Sequence, residues 1–149
     1  AGVEMVATDI SERALKVART NAARYKASVQ FRKGHLLEPL VAGGDRFDVV
    51  VSNPPYVKRS DIHTLAPVVR DYEPRLALDG GESGLEKFAE ITNRLPEVLK
   101  EQAIVAFEVG LGQAANVADL LQTKLPAAHV AIIKDLNRKE RIVLAEIGF

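Results

Sequence analysis

The sequence predicts an α/β fold with a mostly parallel sheet and an antiparallel C-terminal edge strand. Three observations carry this expectation. Short apolar runs rich in Val and Ile alternate along the chain with longer stretches whose apolar residues recur at helical spacing. The run at 47–52, Phe-Asp-Val-Val-Val-Ser, is nearly continuous in Val, the pattern of a strand covered on both faces, as parallel strands are. The last two apolar runs are joined by the short polar stretch 135–140, which suits antiparallel neighbours.

Taken in order, residues 3–8 form a first strand that ends at Asp9. Ser11 is placed to cap a helix from 12 to about 25, in which Ala14, Leu15, Ala18 and Ala22 make an apolar stripe. Residues 28–32 read as a second strand and 46–52 as a third. The stretch 58–81 is loop-like, with a short helix near 63–70. A helix over 83–100 follows, with Pro96 as a kink point, then a strand over 103–109 and a helix over 113–124. Residues 129–134 and 141–147 complete the fold as a strand pair. A nucleotide-binding α/β domain usually opens with a strand and a glycine-rich turn. Here only Gly2 precedes the strand of Asp9, while Gly43-Gly44 and Gly80-Gly81 lie elsewhere, so the chain reads as N-terminally incomplete.

Composition narrows the partners only modestly. The chain has 149 residues, 47% hydrophobic and 27% charged, enough for one core. Its 20 basic and 20 acidic residues cancel, which argues against broad affinity for nucleic acid. A local basic cluster remains at Lys134, Arg138, Lys139 and Arg141. No apolar run reaches the ~18 residues of a membrane span, and Ala1-Gly2-Val3-Glu4 lacks the pattern of a signal peptide, so a cytoplasmic protein is expected. The absence of cysteine excludes disulfides and thiolate metal sites. His35, His63 and His129 form no metal-spaced pair, so no metal is expected.

The residues with the most chemistry are Asn53-Pro54-Pro55-Tyr56, directly after the Val-rich strand. They suggest methyl transfer to a planar nitrogen. Such a nitrogen has a delocalised lone pair, so a catalyst must hold both N–H groups and aim the lone pair at the methyl donor. Asn53 offers a side-chain carbonyl as one acceptor. Pro54 precedes a second proline, Pro55, which brings no N–H and restricts Pro54 to extended geometry, leaving the Pro54 carbonyl as the other acceptor. Tyr56 adds a flat face for stacking. The same four residues also read as a plain turn. Asp9 carries two readings as well: an acceptor for ribose hydroxyls, as in dinucleotide-type folds, or an acid favoured by a helix N-terminus. With the Asn53 motif downstream, the ribose role is preferred.

Several strings together resemble the release-factor glutamine methyltransferases, that is, the protein-(glutamine-N5) methyltransferases. They are Ala7-Thr8-Asp9-Ile10-Ser11 with Ala14-Leu15 and Asn21-Ala22, the segment 34–40, and Asp48 through Tyr56. Further on come Asp71-Tyr72-Glu73-Pro74 with Ala77-Leu78, Gly80-Gly81 with Gly84-Leu85, Glu108-Val109-Gly110 with Gln113, and Asp135 with Arg141. Asn-Pro-Pro-Tyr alone is shared with adenine-N6 and guanine-N2 nucleic-acid methyltransferases. The Tyr-Glu-Pro and Ala-Leu-x-Gly-Gly segment is more particular to the glutamine enzymes.

The resemblance implies a Rossmann-like class I methyltransferase sheet that uses S-adenosylmethionine, with residues 1–149 as a single catalytic domain lacking its first strand. That strand would lie between those of Val3 and Val49. It implies methylation of the glutamine in the Gly-Gly-Gln motif of class 1 peptide-chain release factors. Asn53 and the Pro54 carbonyl would hold the amide, with Pro55 and Tyr56 completing the acceptor site. Asp9, Ile10, His35, Leu36 and Asn53 would form the cofactor side, with the backbone near His35 and Leu36 at the adenine. Glu73 and Glu108 are candidates to shape the substrate pocket, although fixing a loop and ending a strand are their preferred readings. This sequence departs from the family in lacking the glycine-rich cofactor loop and the small helical N-terminal domain, and in having His35 where many relatives carry an acid. Two other readings stay open: a nucleic-acid amino-methyltransferase using the same Asn53 site, and a non-catalytic fragment.

Overall fold

The computed structural model describes residues 2–149, so Ala1, part of the start read above as leaderless, lies outside the described residues. The chain divides into two compact units, Ala1–Asp45 and Arg46–Phe149.

The first unit is a β-α-β-α segment. Strand β1 (Met5–Asp9) and strand β2 (Val29–Lys33) pair in parallel, with Asp9 opposite Lys33. Between them runs helix α1 (Glu12–Arg24), begun as expected by Ser11, whose Oγ accepts from the Ala14 N–H at 3.3 Å. Leu15 is the buried residue of its stripe, and Ala14, Ala18 and Ala22 are half-buried. Helix α2 (Glu38–Gly43) was not expected. Its signals are local ones: Pro39 within the first turn and Gly44 at φ 70° closing the end, the usual asymmetry of helix termini. It buries Leu40, and Leu37 just before it is buried too. Arg32 on β2 makes a bidentate pair with Asp45, which pulls the Asp45 carboxyl below the usual carboxylate range.

The second unit contains a four-stranded sheet in the order β3-β4-β6-β5. Strand β3 (Phe47–Ser52) pairs in parallel with β4 (Leu99–Glu108). Strand β6 (Glu140–Ile147) runs antiparallel to both β4 and β5 (His129–Lys134). The expected class therefore holds, with its antiparallel edge built as a hairpin in which C-terminal β6 lies inside β5. Between β3 and β4 come a 3₁₀ turn (Arg59–Thr64), the one-turn helices α3 (Pro67–Arg70) and α4 (Arg75–Leu78), and helix α5 (Glu86–Val98). Helix α6 (Ala114–Lys124) joins β4 to β5. Among the described residues, no helix is long and apolar enough to cross a membrane.

The core of this unit follows from helical and strand periodicity. Phe88, Ile91, Leu95 and Val98 of α5 are buried, as are Val105 and Phe107 of β4, Val117 and Leu121 of α6, and Val143 and Ala145 of β6. Each large side chain here contributes roughly 1.5–3 kcal/mol by leaving water. The rings of Phe88 and Phe107 meet at 5.8 Å with a 56° tilt. Pro96 sits in the last turn of α5, where it removes one N–H, and Arg46 caps the helix end by donating to the Pro96 and Leu99 carbonyls at 2.7 and 3.3 Å.

One expectation is overturned. The Val-rich strand β3 is not covered on both faces: Val50 is 9% exposed, but Val49 and Val51 are 54% and 74% exposed. Val49 and Val51 share one face and Val50 lies on the other, so the strand has a single covered face; it is also the end strand of the four-stranded order, its ladder with β4 alone among the described residues. Valine content reports fitness for a pleated backbone, not which faces are covered.

Candidate active site

Strand β3 ends at Ser52 and delivers Asn53-Pro54-Pro55-Tyr56 at its carboxyl end. Asn53 is exposed, Pro54 is buried, and Pro55 and Tyr56 are half-buried. Among the described residues, neither the Asn53 side-chain amide nor the Pro54 carbonyl makes a hydrogen bond. The structure thus leaves open the two acceptors on which the sequence argument rests.

Around them the loop is tightly held. The Val57 N–H donates to the Leu78 carbonyl at 3.0 Å and the Gly80 N–H to the Val57 carbonyl at 2.9 Å, forming a parallel bridge between Val57 and Asp79. The Arg59 N–H adds a bond to the Gly81 carbonyl at 2.8 Å. Glycine is required for this approach, because a Cβ on Gly80 would lie 2.6 Å from the Tyr56 Cα and 2.8 Å from the Pro55 carbonyl oxygen. From the other side, Gln113 Nε2 donates to the Tyr56 carbonyl at 3.0 Å. Gly110, just beyond β4, leaves space beside the ring: a Cβ there would stand 2.8 Å from Tyr56 Cδ2.

Two carboxylates brace the segment between this bridge and α5. Asp79 accepts from the Gly81 N–H at 3.0 Å and pairs with Arg59 Nε at 3.0 Å. The Arg59 guanidinium, with help from the Gly81 N–H, holds the Asp79 carboxyl below the usual carboxylate range. Glu86 accepts from the Ser83 N–H at 2.9 Å, the Leu85 N–H at 3.0 Å and the Ser83 hydroxyl at 3.0 Å. The backbone donor at Ser83 leads in lowering its pKa to about 2.

In the first unit, the structure brings Asp9, Ile10, His35 and Leu36 together at the carboxyl ends of β1 and β2. The Gly34 N–H donates to the Asp9 carbonyl at 3.1 Å, and Thr8 Oγ1 donates to the Leu36 carbonyl at 2.9 Å. Leu36 has φ 46°, which turns the backbone sharply after β2. Asp9 Oδ1 accepts from the Ser11 N–H at 2.7 Å, so this acid does help start α1. Its Oδ2 takes no hydrogen bond among the described residues. Ile10 beside it is 44% exposed. This group lies in the first unit and the Asn53 loop in the second.

A sequence profile of the methyltransferase small domain matches residues 1–82, more than half of the chain. The chain belongs to that methyltransferase family. It is 48% identical over 139 residues to the release factor glutamine methyltransferase of Bacillus anthracis, an alignment covering 93% of this chain and 49% of that protein. The chain spans about half the length of the curated relatives it matches. Among solved structures, its fold is similar to that of a methyltransferase from Pyrococcus furiosus, with TM-score 0.69, 20% identity, and coverage of 98% of this chain and 64% of that one. It is also similar to a protein-(glutamine-N5) methyltransferase (release factor-specific) from Alicyclobacillus acidocaldarius, with TM-score 0.57, 22% identity, and coverage of 99% and 81%.

The remaining candidates fall into place by their partners. Glu73 is exposed between α3 and α4, and among the described residues no hydrogen bond or ion pair joins its side chain to the Asn53 loop. Glu108 is the exposed last residue of β4. Asp135 organises the β5–β6 turn by accepting from the Asn137 and Lys139 N–H groups at 2.8 and 2.9 Å, and Arg141 pairs with it at 3.8 Å. Since β6 begins opposite the end of β4, the basic hairpin stands at the carboxyl end of β4, with β4 between it and β3. Among the residues that sequence reasoning quoted without a role is Gln113. Its signal was chemical mismatch: it holds a helix N-cap position, where Ser, Thr, Asp or Asn is favoured, and does not cap its helix.

Proposed function

We propose that this chain is the catalytic segment of a protein-(glutamine-N5) methyltransferase, which transfers a methyl group from S-adenosylmethionine to the glutamine side chain in the Gly-Gly-Gln motif of class 1 release factors. The observation that carries the reading is the pair of unclaimed acceptors, Asn53 Oδ1 and the Pro54 carbonyl, on a loop otherwise clamped by hydrogen bonds. The 48% identity to a release factor glutamine methyltransferase over nearly the whole chain supports the choice of acceptor. Both units belong to one catalytic domain, a reading supported by a family match that runs across the boundary at Asp45.

The cofactor fits the donor and acceptor chemistry of the first unit. Asp9 has a carboxylate oxygen open to a ribose diol, Ile10 offers exposed apolar surface, and the turned backbone at His35 and Leu36 suits an adenine edge. When bound, the sulfonium supplies a methyl group already activated for in-line displacement.

The chain's own residues then act by positioning. Asn53 Oδ1 and the Pro54 carbonyl each accept one N–H of the glutamine amide, which fixes its plane and presents the nitrogen lone pair to the methyl carbon. Pro55 restricts the Pro54 backbone and so sets the direction of the Pro54 carbonyl, and the Tyr56 ring packs on the amide plane. The nitrogen that gains the methyl group would then release one N–H proton to water, and the donor's sulfur would leave as a neutral thioether. Both acceptors are carbonyls and take no proton themselves. The test is transfer from labelled cofactor to a release factor and to its Gln→Ala variant, with DNA and ribosomal RNA as competing acceptors. Labelling of the release factor alone, lost in the variant, is expected. Labelling of nucleic acid instead would reject the glutamine assignment.

A further inference from the structure

Gln113 makes three side-chain hydrogen bonds, all to backbone, two of them to segments distant in the chain. Its Nε2 donates to the Tyr56 carbonyl at 3.0 Å and to the Gly84 carbonyl at 3.2 Å, while its Oε1 accepts from the Gly110 N–H at 3.0 Å. The amide thereby ties the loop after β3, the loop before α5 and the turn after β4 to one point. A Gln at this N-cap position satisfies none of its own helix's free N–H groups, so helix stability does not explain the residue.

Two glycines make room for the same amide. A Cβ on Gly84, which has φ 78°, would lie 2.5 Å from the Tyr56 carbonyl oxygen and 2.8 Å from Gln113 Nε2. A Cβ on Gly110 would lie 2.5 Å from Gln113 Oε1 and 2.8 Å from the Tyr56 ring. Donor and acceptor are both needed at this point, since two of its partners are carbonyls and the third is an N–H. Among side chains of this length, the primary amide of Gln supplies both ends.

We infer that Gln113 is a positioning residue for methyl transfer: it fixes the peptide plane after Tyr56, and through it the Pro54 carbonyl and the Tyr56 ring. This rests on the reading of Asn53-Pro54-Pro55-Tyr56 as the acceptor site. Gln113 touches neither substrate nor cofactor in this scheme. Its loss therefore acts on turnover through the loop and leaves cofactor affinity alone.

The test is a double-mutant cycle in the full-length protein, using Asn53→Ala, Gln113→Glu, Gln113→Met and the combined variants. Gln113→Glu keeps the shape and the acceptor but removes both donors, and Gln113→Met removes all three bonds. Each is expected to lower kcat about 10-fold or more at constant cofactor Kd, and the combined loss with Asn53→Ala should be well below the product of the single losses. A purely structural residue would instead give independent, multiplicative losses, and that result overturns the inference. So does full turnover in Gln113→Glu beside a crippled Asn53→Ala, which leaves the proposed function standing. Full turnover in Asn53→Ala removes the acceptor-site reading and this inference together. Loss of the folded state in both Gln113 variants, followed by circular dichroism, would make the residue one of folding and also overturn the inference.

Discussion

Asn53 offers its amide to the open end of β3 with no protein partner among the described residues, so its removal should leave the fold intact. Asn53→Ala is expected to lower kcat by on the order of 10²-fold, the typical effect of losing one hydrogen bond that orients the reacting group, with cofactor affinity unchanged by calorimetry. Gly80→Ala tests the opposite kind of residue, one that does no chemistry. Its Cβ meets backbone at Tyr56 and Pro55, which cannot swing aside as a side-chain tip does. Unfolding in urea should show a loss of roughly 1–3 kcal/mol, with a fall in turnover as the loop is displaced. Of these two residues, only Asn53 could be assigned a role from the sequence, because its chemistry travels with the side chain. The need for glycine at 80 arises from a strand bridge between residues more than twenty positions apart, which no local pattern contains.

The segment between the Val57 bridge and α5 is held partly by charge. With its carboxyl held near 2, the Ser83 N–H leading, Glu86 stays ionised in the folded protein at pH values where the unfolded chain has already taken up a proton. Its contribution is therefore complete above about pH 4.5 and is lost as the pH falls toward 2. Melting temperatures measured from pH 6 to pH 2.5 should fall less steeply in Glu86→Gln than in the parent protein. Helix α1 was legible because its cap, Ser11, and its stripe are written within a few residues of each other. Helix α2 carried comparable signals in Pro39 and Gly44 but is too short to show a hydrophobic period. The burial of β3 was misread because strand propensity is local while coverage depends on what packs over each face of the sheet.

At the scale of the whole chain, the two units differ in core. The first buries Leu15, Leu37 and Leu40, whereas the second buries both rings of the Phe88–Phe107 pair and the apolar faces of α5, α6 and β4. Amides of β1 and β2 should accordingly exchange with solvent faster than those of β4 and β6 in native-state hydrogen exchange. Equal protection would show that stability is shared evenly along the chain. The order of strands and helices was legible throughout because alternation is a long-range pattern made of local ones. Division into two sheets, β1-β2 and β3-β4-β6-β5, was not, since pairing between distant strands leaves no mark in either strand's own sequence.

The proposed grip on the amide is half side chain and half main chain, and the two halves differ in mutational exposure. A single codon change can delete the carbonyl of Asn53, but none can delete the carbonyl of Pro54, because every residue carries one. Random variation can reach that second acceptor only by turning it away, through Pro55, which fixes the local backbone, or through the glycines and the glutamine that hold Tyr56. Inactivating changes are therefore expected to scatter over Gly80, Gly84, Gly110 and Gln113, positions that hold no reacting group and would pass for inert loop residues in a survey of side-chain chemistry alone.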